Sequence, residues 1–209
     1  METTDSIMSN LYVIKFIAHV KEECKANKIH CAIRNVSYVK AASNIKCSGY
    51  FDHANRVLAV AMKGPSPLEI LAHEYGHFTQ WKEQCPEWVQ YIEGGGDDAI
   101  EKWLAGEEIE NVDRYLMLTK YMELDNEKRA VEIIKKWNLD TIINLKHYIK
   151  KCNAYVQWYN WLKISRKWTQ PGNQPYTNQR LLDAMSTEFD MDYLTLTPEL
   201  ETIFREENI

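Results

Sequence analysis

Residues 65–86, PSPLEILAHEYGHFTQWKEQCP, constrain this chain more than any other stretch. Ser66 followed three residues later by Glu69 reads as a capping box, and Pro67 falls at the first helical position, where a missing N–H costs nothing. The pattern predicts a helix from Ser66 to about Cys85, stopped by Pro86. Leu68, Leu71, Ala72, Tyr75 and Phe78 supply its apolar surface. His73 and His77 stand four apart, so their rings leave one face on consecutive turns. Two imidazoles so placed can each give one nitrogen to a tetrahedral zinc ion. Glu74, beside the first of them, can reach a water on that ion without itself binding it. The blander reading is a pair of histidines hydrogen-bonded on a helix face.

Two histidines leave zinc short of the three protein ligands usual in catalytic sites. A third ligand six residues after His77 would need a glycine turn, but Gln80 continues the helix and carries Glu83 away. The other source is a later helix, YLMLTKYMELDNEKRAVEIIKKW. Glu127 falls in the middle of its apolar side, between Leu124 and Val131, with small Ala130 allowing a close approach. A carboxylate there stays ionised only if something compensates it, and a metal ion would. Glu127 is the expected third ligand, with Glu123 one turn earlier as runner-up; Asp125 points to another face.

The rest of the chain sets the frame. NLYVIKFIAHVKEECKANK places Leu11, Ile14, Ile17, Ala18 and Val20 at helical spacing. KIHCAIRNVSYVK reads as a strand, and KCSGYFDHANRVLAVAMKGP as a hairpin turning through DHAN. From Pro65 onward the pattern is helical, broken at CPEW, at EGGGDD and at TQPGNQPYTN. At 209 residues the expectation is a single α+β domain over 1–209, mostly helical. A small antiparallel or mixed sheet precedes the metal-site helix, and an aromatic-rich helical part begins near residue 140.

A net charge of −5 gives no reason to expect nucleic acid as a partner. Five cysteines, odd in number and without a C-x-x-C pair, argue against a disulfide framework and against a thiolate zinc site. A reduced, cytoplasmic setting is expected. The N-terminus does not read as a signal peptide, and no window carries enough apolar residues to span a membrane.

With these residues in place, the sequence resembles the gluzincin class of zinc metallopeptidases. HEYGH matches their H-E-x-x-H helix, and EKRA (Glu127 to Ala130) resembles the E-x-x-A of families such as the ImmA/IrrE-like bacterial and phage proteins and the HtpX-like peptidases. The matching region covers roughly residues 47–135. Val131 stands where those families have Asp or Asn, and the interval from His77 to Glu127 is longer than theirs. The resemblance implies a zincin-like fold and a zinc cofactor held by His73, His77 and Glu127. It also implies hydrolysis of a peptide or protein substrate with Glu74 as general base. An edge strand at Lys46–Asp52 would pair with substrate through Ser48, Gly49 and Tyr50. A second donor to the developing oxyanion would come from Tyr155, Tyr159, Arg166, His147 or Tyr176. The alternative expectation is a non-catalytic binding or regulatory protein, phage or viral proteins included, on the same scaffold.

Overall fold

The computed structural model describes residues 4–41, 44–170 and 172–209, and the side chains of all of these except 4–9, 96 and 97. The fold is α+β and mostly helical, with a small sheet. Two compact units form, Met1–Cys85 with Asn126–Asn144, and Pro86–Asp125 with Leu145–Ile209. Among the described residues, no helix is long and apolar enough to cross a membrane.

The first unit opens with helix α1 (Thr4–Ala26) and strand β1 (His30–Arg34). A small ladder of β2 (Val39–Lys40) and β3 (Lys46–Cys47) follows, then β4 (Gly49–Asp52), β5 (Val57–Ala61) and helix α2 (Pro67–Glu83). In the three-stranded sheet the order is β1-β5-β4. β1 runs parallel to β5, with Ala32 opposite Ala59. β4 runs antiparallel to β5, with Gly49 opposite Val60. The expected hairpin is present, and its inner strand is the apolar one: Leu58, Ala59, Val60 and Ala61 are all buried. The expected edge strand is divided, because Ser48 separates β3 from β4.

Two local expectations are corrected. Helix α1 buries Phe16, Val20 and Cys24, one residue per turn, whereas Ile14 is 63 % exposed and Leu11 38 %. Two apolar stripes compete on this helix, and the aromatic one wins because Phe16 packs edge-on to Tyr75 of α2 at 5.9 Å and against Trp137 at 5.8 Å. At the start of α2, Ser66 does not cap with its side chain; its backbone takes a left-handed φ of 48°. The far end agrees more closely. Gln84, also left-handed, turns its N–H back to the carbonyls of Gln80 and Trp81, and Pro86 opens the next helix at once.

Polar contacts join α1 to α2, among them an ion pair of Glu23 with Lys82. His19 Nε2 lies 2.9 Å from the Tyr75 hydroxyl, inside the HEYGH motif. Burial pushes His19 below its ordinary value of 6.5; Lys136 and Lys82 push the same way, and Glu23 and Glu22 oppose them. A histidine with a depressed folded pKa binds fewer protons folded than unfolded. Stability is therefore complete above pH 6.5 and declines as pH falls below it, until the folded form also protonates. His19→Gln should flatten the pH dependence of the urea midpoint in that interval; an unchanged slope would remove His19 from the acid response.

Helices α3 (Pro86–Gly94) and α4 (Gly96–Leu104) begin the second unit and are divided only by Gly95 at φ 67°. Helix α5 (Val112–Lys136) is unbroken over 25 residues; its earlier part belongs to the second unit and its later part to the first. Helix α6 (Leu145–Ser165), α7 (Gln179–Ala184) and α8 (Pro198–Glu206) complete the chain. Trp158, Leu162, Leu181 and Phe204 form their core. Buried amides on α6 organise the long connection before α8. Asn153 donates to the carbonyls of Ser186 and Glu188 and accepts from the Tyr193 hydroxyl; Gln157 donates to the Asp192 carbonyl. These amides satisfy loop backbone that a wholly apolar helix would leave bare.

Candidate metal centre

α2 sets the positions of the motif residues. Leu71, Ala72, Tyr75 and Phe78 are buried and hold one side of the helix in the core, which leaves His73 and His77 on the neighbouring side. The two rings stand at 90° with centroids 4.7 Å apart, and their Nε2 atoms are 3.2 Å apart. Two nitrogens bound to one tetrahedral ion at the usual zinc distance would be separated by about 3.3 Å.

Each ring is held from behind. His73 Nδ1 lies 3.0 Å from Glu127 Oε1, and His77 Nδ1 lies 2.9 Å from Gln80 Oε1. Glu127 is 5 % exposed and Gln80 fully buried. A carboxylate and an amide oxygen only accept, so both Nδ1 atoms donate to them, which leaves the Nε2 atoms of the neutral rings as acceptors. Outer partners of this kind are what fix the tautomer and orientation of metal-binding histidines.

α5 brings three polar side chains into this region: Glu123, Asn126 and Glu127 are 7 %, 0 % and 5 % exposed. The ligand atoms of His73, His77 and Glu123 lie within 4.8 Å of one another, a group able to hold a metal ion. Glu123 sits one turn before Glu127 on the same continuous helix. Glu127, the expected ligand, is engaged at Nδ1 of His73, and Glu123, the runner-up, is the carboxylate that groups with the two rings. Helical periodicity could not separate them, because residues four apart share a face.

Sequence reasoning missed Asn126 and Gln80. Asn126 Nδ2 lies 3.0 Å from His77 Nε2 and 3.1 Å from His73 Nδ1, while its Oδ1, though buried, has no hydrogen-bond partner among the described residues. A buried polar atom left unpaired costs on the order of 1–3 kcal/mol, which marks a polar cluster built for something more than its own side chains. The available signal was Gly76. A Cβ placed there would collide with the Asn126 amide oxygen, so the motif's glycine is what lets α5 lie against α2. Gly76→Ala should cost about 1–3 kcal/mol by overpacking and displace the amide between the histidines. Denaturant midpoint and metal content measured together would check this, and an unchanged pair would refute it.

Glu74 leaves α2 toward the sheet. It is 8 % exposed, and a Cβ on Gly49 would come 3.1 Å from Glu74 Cγ and 2.5 Å from Ile70. Glycine at 49 therefore makes room for the carboxylate under β4. Burial raises the Cys47 thiol on the neighbouring strand, and the charge of Glu74 adds to the rise.

β4 is an edge of its sheet among the described residues. The Ala61 N–H donates to the Ser48 carbonyl at 2.8 Å, so residue 48 faces β5. Antiparallel ladders alternate, which turns Tyr50 and Asp52 inward as well and directs the backbone groups of Gly49 and Phe51 to the open edge. Of the three expected edge residues, Gly49 presents its backbone outward, and Ser48 and Tyr50 do not.

The expected oxyanion donors separate clearly. Tyr155 on α6 places its hydroxyl 3.4 Å from Glu123 Oε1, with the Tyr159 hydroxyl 3.1 Å behind it. Tyr176 stands edge-on to Tyr155 at 6.1 Å. Arg166 instead stacks on Trp103 and donates to the carbonyls of Trp103 and Glu107, and His147 lies in the first turn of α6, two turns from Tyr155. His30 is exposed, and His53 lies in the β4–β5 turn.

The chain matches no protein family, and no curated protein or solved structure is recognisably similar to it.

Proposed function

We propose that this chain is a zinc-dependent peptidase with a zincin-like arrangement of sheet, motif helix and ligand helix. The observation that carries the reading is the pair of His73 and His77 Nε2 atoms, 3.2 Å apart, each ring locked from its Nδ1 side by a buried acceptor. Imidazole and carboxylate together are a donor set suited to zinc. His73, His77 and Glu123 would hold the ion; Glu127 and Gln80 would orient the two rings. Bound there, zinc would acidify a water and polarise a substrate carbonyl.

The remaining work belongs to the chain's own groups. Glu74, adjacent to His73 on the motif helix, takes a proton from the attacking water and returns it to the leaving amine. Its partial burial under Gly49 keeps the carboxylate from bulk water. An extended substrate adds to the outward backbone groups of Gly49 and Phe51, so that its main chain is read by hydrogen bonds whatever its side chains. A free edge beside a metal helix is otherwise a liability for aggregation, and a peptide groove gives a reason to keep it.

Purified protein should contain about one zinc per chain. Chelation should abolish hydrolysis of a mixed peptide library, and added zinc should restore it. Metal at a hundred times its Kd should also raise the unfolding free energy by about 2.7 kcal/mol. Protein that neither contains nor takes up zinc would end this reading.

A further inference from the structure

The Tyr155 hydroxyl and the Glu123 carboxylate belong to the same compact unit, on helices α6 and α5. Resting on the proposed metal centre, we infer that Tyr155 is a positioning residue for its carboxylate ligand, holding Glu123 Oε1 so that the other oxygen is left for the ion. A carboxylate can only accept, so the Tyr155 O–H donates to Glu123, and the Tyr155 oxygen then accepts from Tyr159 at 3.1 Å. The two phenols form a directed chain ending on the ligand.

The aim of the Tyr155 phenol is set by its neighbours. Tyr159, one turn later on α6, meets its ring edge-on at 5.6 Å; Trp158 stacks parallel at 6.4 Å, and Tyr176 closes a third side. Trp158 is 1 % exposed, so this packing is anchored in the core. A ring so enclosed cannot turn its hydroxyl away without moving the core. A carboxylate held at one oxygen would offer a cation the other, in keeping with the few ligands of a catalytic zinc site. Freed from the phenol, Glu123 would offer both oxygens.

The test uses Co(II) and Zn(II) titration of the full chain as wild type, Tyr155→Phe and Tyr159→Phe. Phenylalanine keeps the ring packing, so folding is retained. Tyr155→Phe should weaken metal binding roughly 10–100-fold, as loss of an outer partner does. It should also lower the visible Co(II) absorbance, because five-coordinate cobalt absorbs more weakly than four-coordinate. Tyr159→Phe should shift both in the same direction by less. A merely structural tyrosine would change the melting temperature of the metal-free protein and leave the cobalt spectrum alone. If wild type binds one metal and Tyr155→Phe matches it in affinity and spectrum, the inference falls and the metal centre stands. If wild type binds none, the proposed function falls and the inference with it.

Discussion

Glu123→Gln is expected to strip this chain of its metal, and Glu127→Gln only to loosen it. Both carboxylates are buried on one face of α5, but they address different atoms. Glu127 Oε1 is 3.0 Å from His73 Nδ1, whereas Glu123 groups with the two rings by its ligand atoms. Removing the charge at 123 takes away the one anionic ligand of the proposed set. The amide oxygen left by Glu127→Gln can still accept from His73, so the tautomer survives and the loss should sit near the lower end of the roughly 10–100-fold seen for outer partners. Competition against a chromophoric chelator would rank the three proteins directly. Should Glu127→Gln lose the metal and Glu123→Gln keep it, the roles of the two carboxylates would be exchanged.

The second large effect is on turnover. Glu74→Gln should retain zinc at wild-type stoichiometry and lose peptide hydrolysis by about two to four orders of magnitude, the usual contribution of a general base. The amide keeps the shape of the side chain beneath Gly49, so the edge strand should be undisturbed. Digests of a defined peptide mixture followed by mass spectrometry would give the rate. A wild-type protein that binds zinc yet is indistinguishable from Glu74→Gln would favour the non-catalytic scaffold instead.

Much of the local structure was legible because it depends on neighbours in the chain. Proline at 67 and 86 brackets α2, and the four-residue spacing puts His73 and His77 on one face whatever surrounds them. The DHAN turn and the apolar run from Val57 to Ala61 likewise declare a hairpin with a buried inner strand. Where two local solutions were nearly equal, pattern alone could not choose. Leu11 and Ile14 are as apolar as Phe16 and Val20, and only the aromatic contacts with Tyr75 and Trp137 decide which stripe is buried.

The same limit explains the metal centre. By itself the sequence determined the helix, the two imidazoles, the glutamate beside them and a pair of carboxylates one turn apart on a later helix. Tertiary structure alone decided which carboxylate pairs with His73 Nδ1 and which groups with the two rings. It also decided that Asn126 packs on Gly76 and that Tyr155 reaches Glu123. The physical reason is range: helical periodicity fixes a residue's direction about its own axis, whereas a ligand set depends on the crossing of two helices, which residues far apart in the chain set by packing.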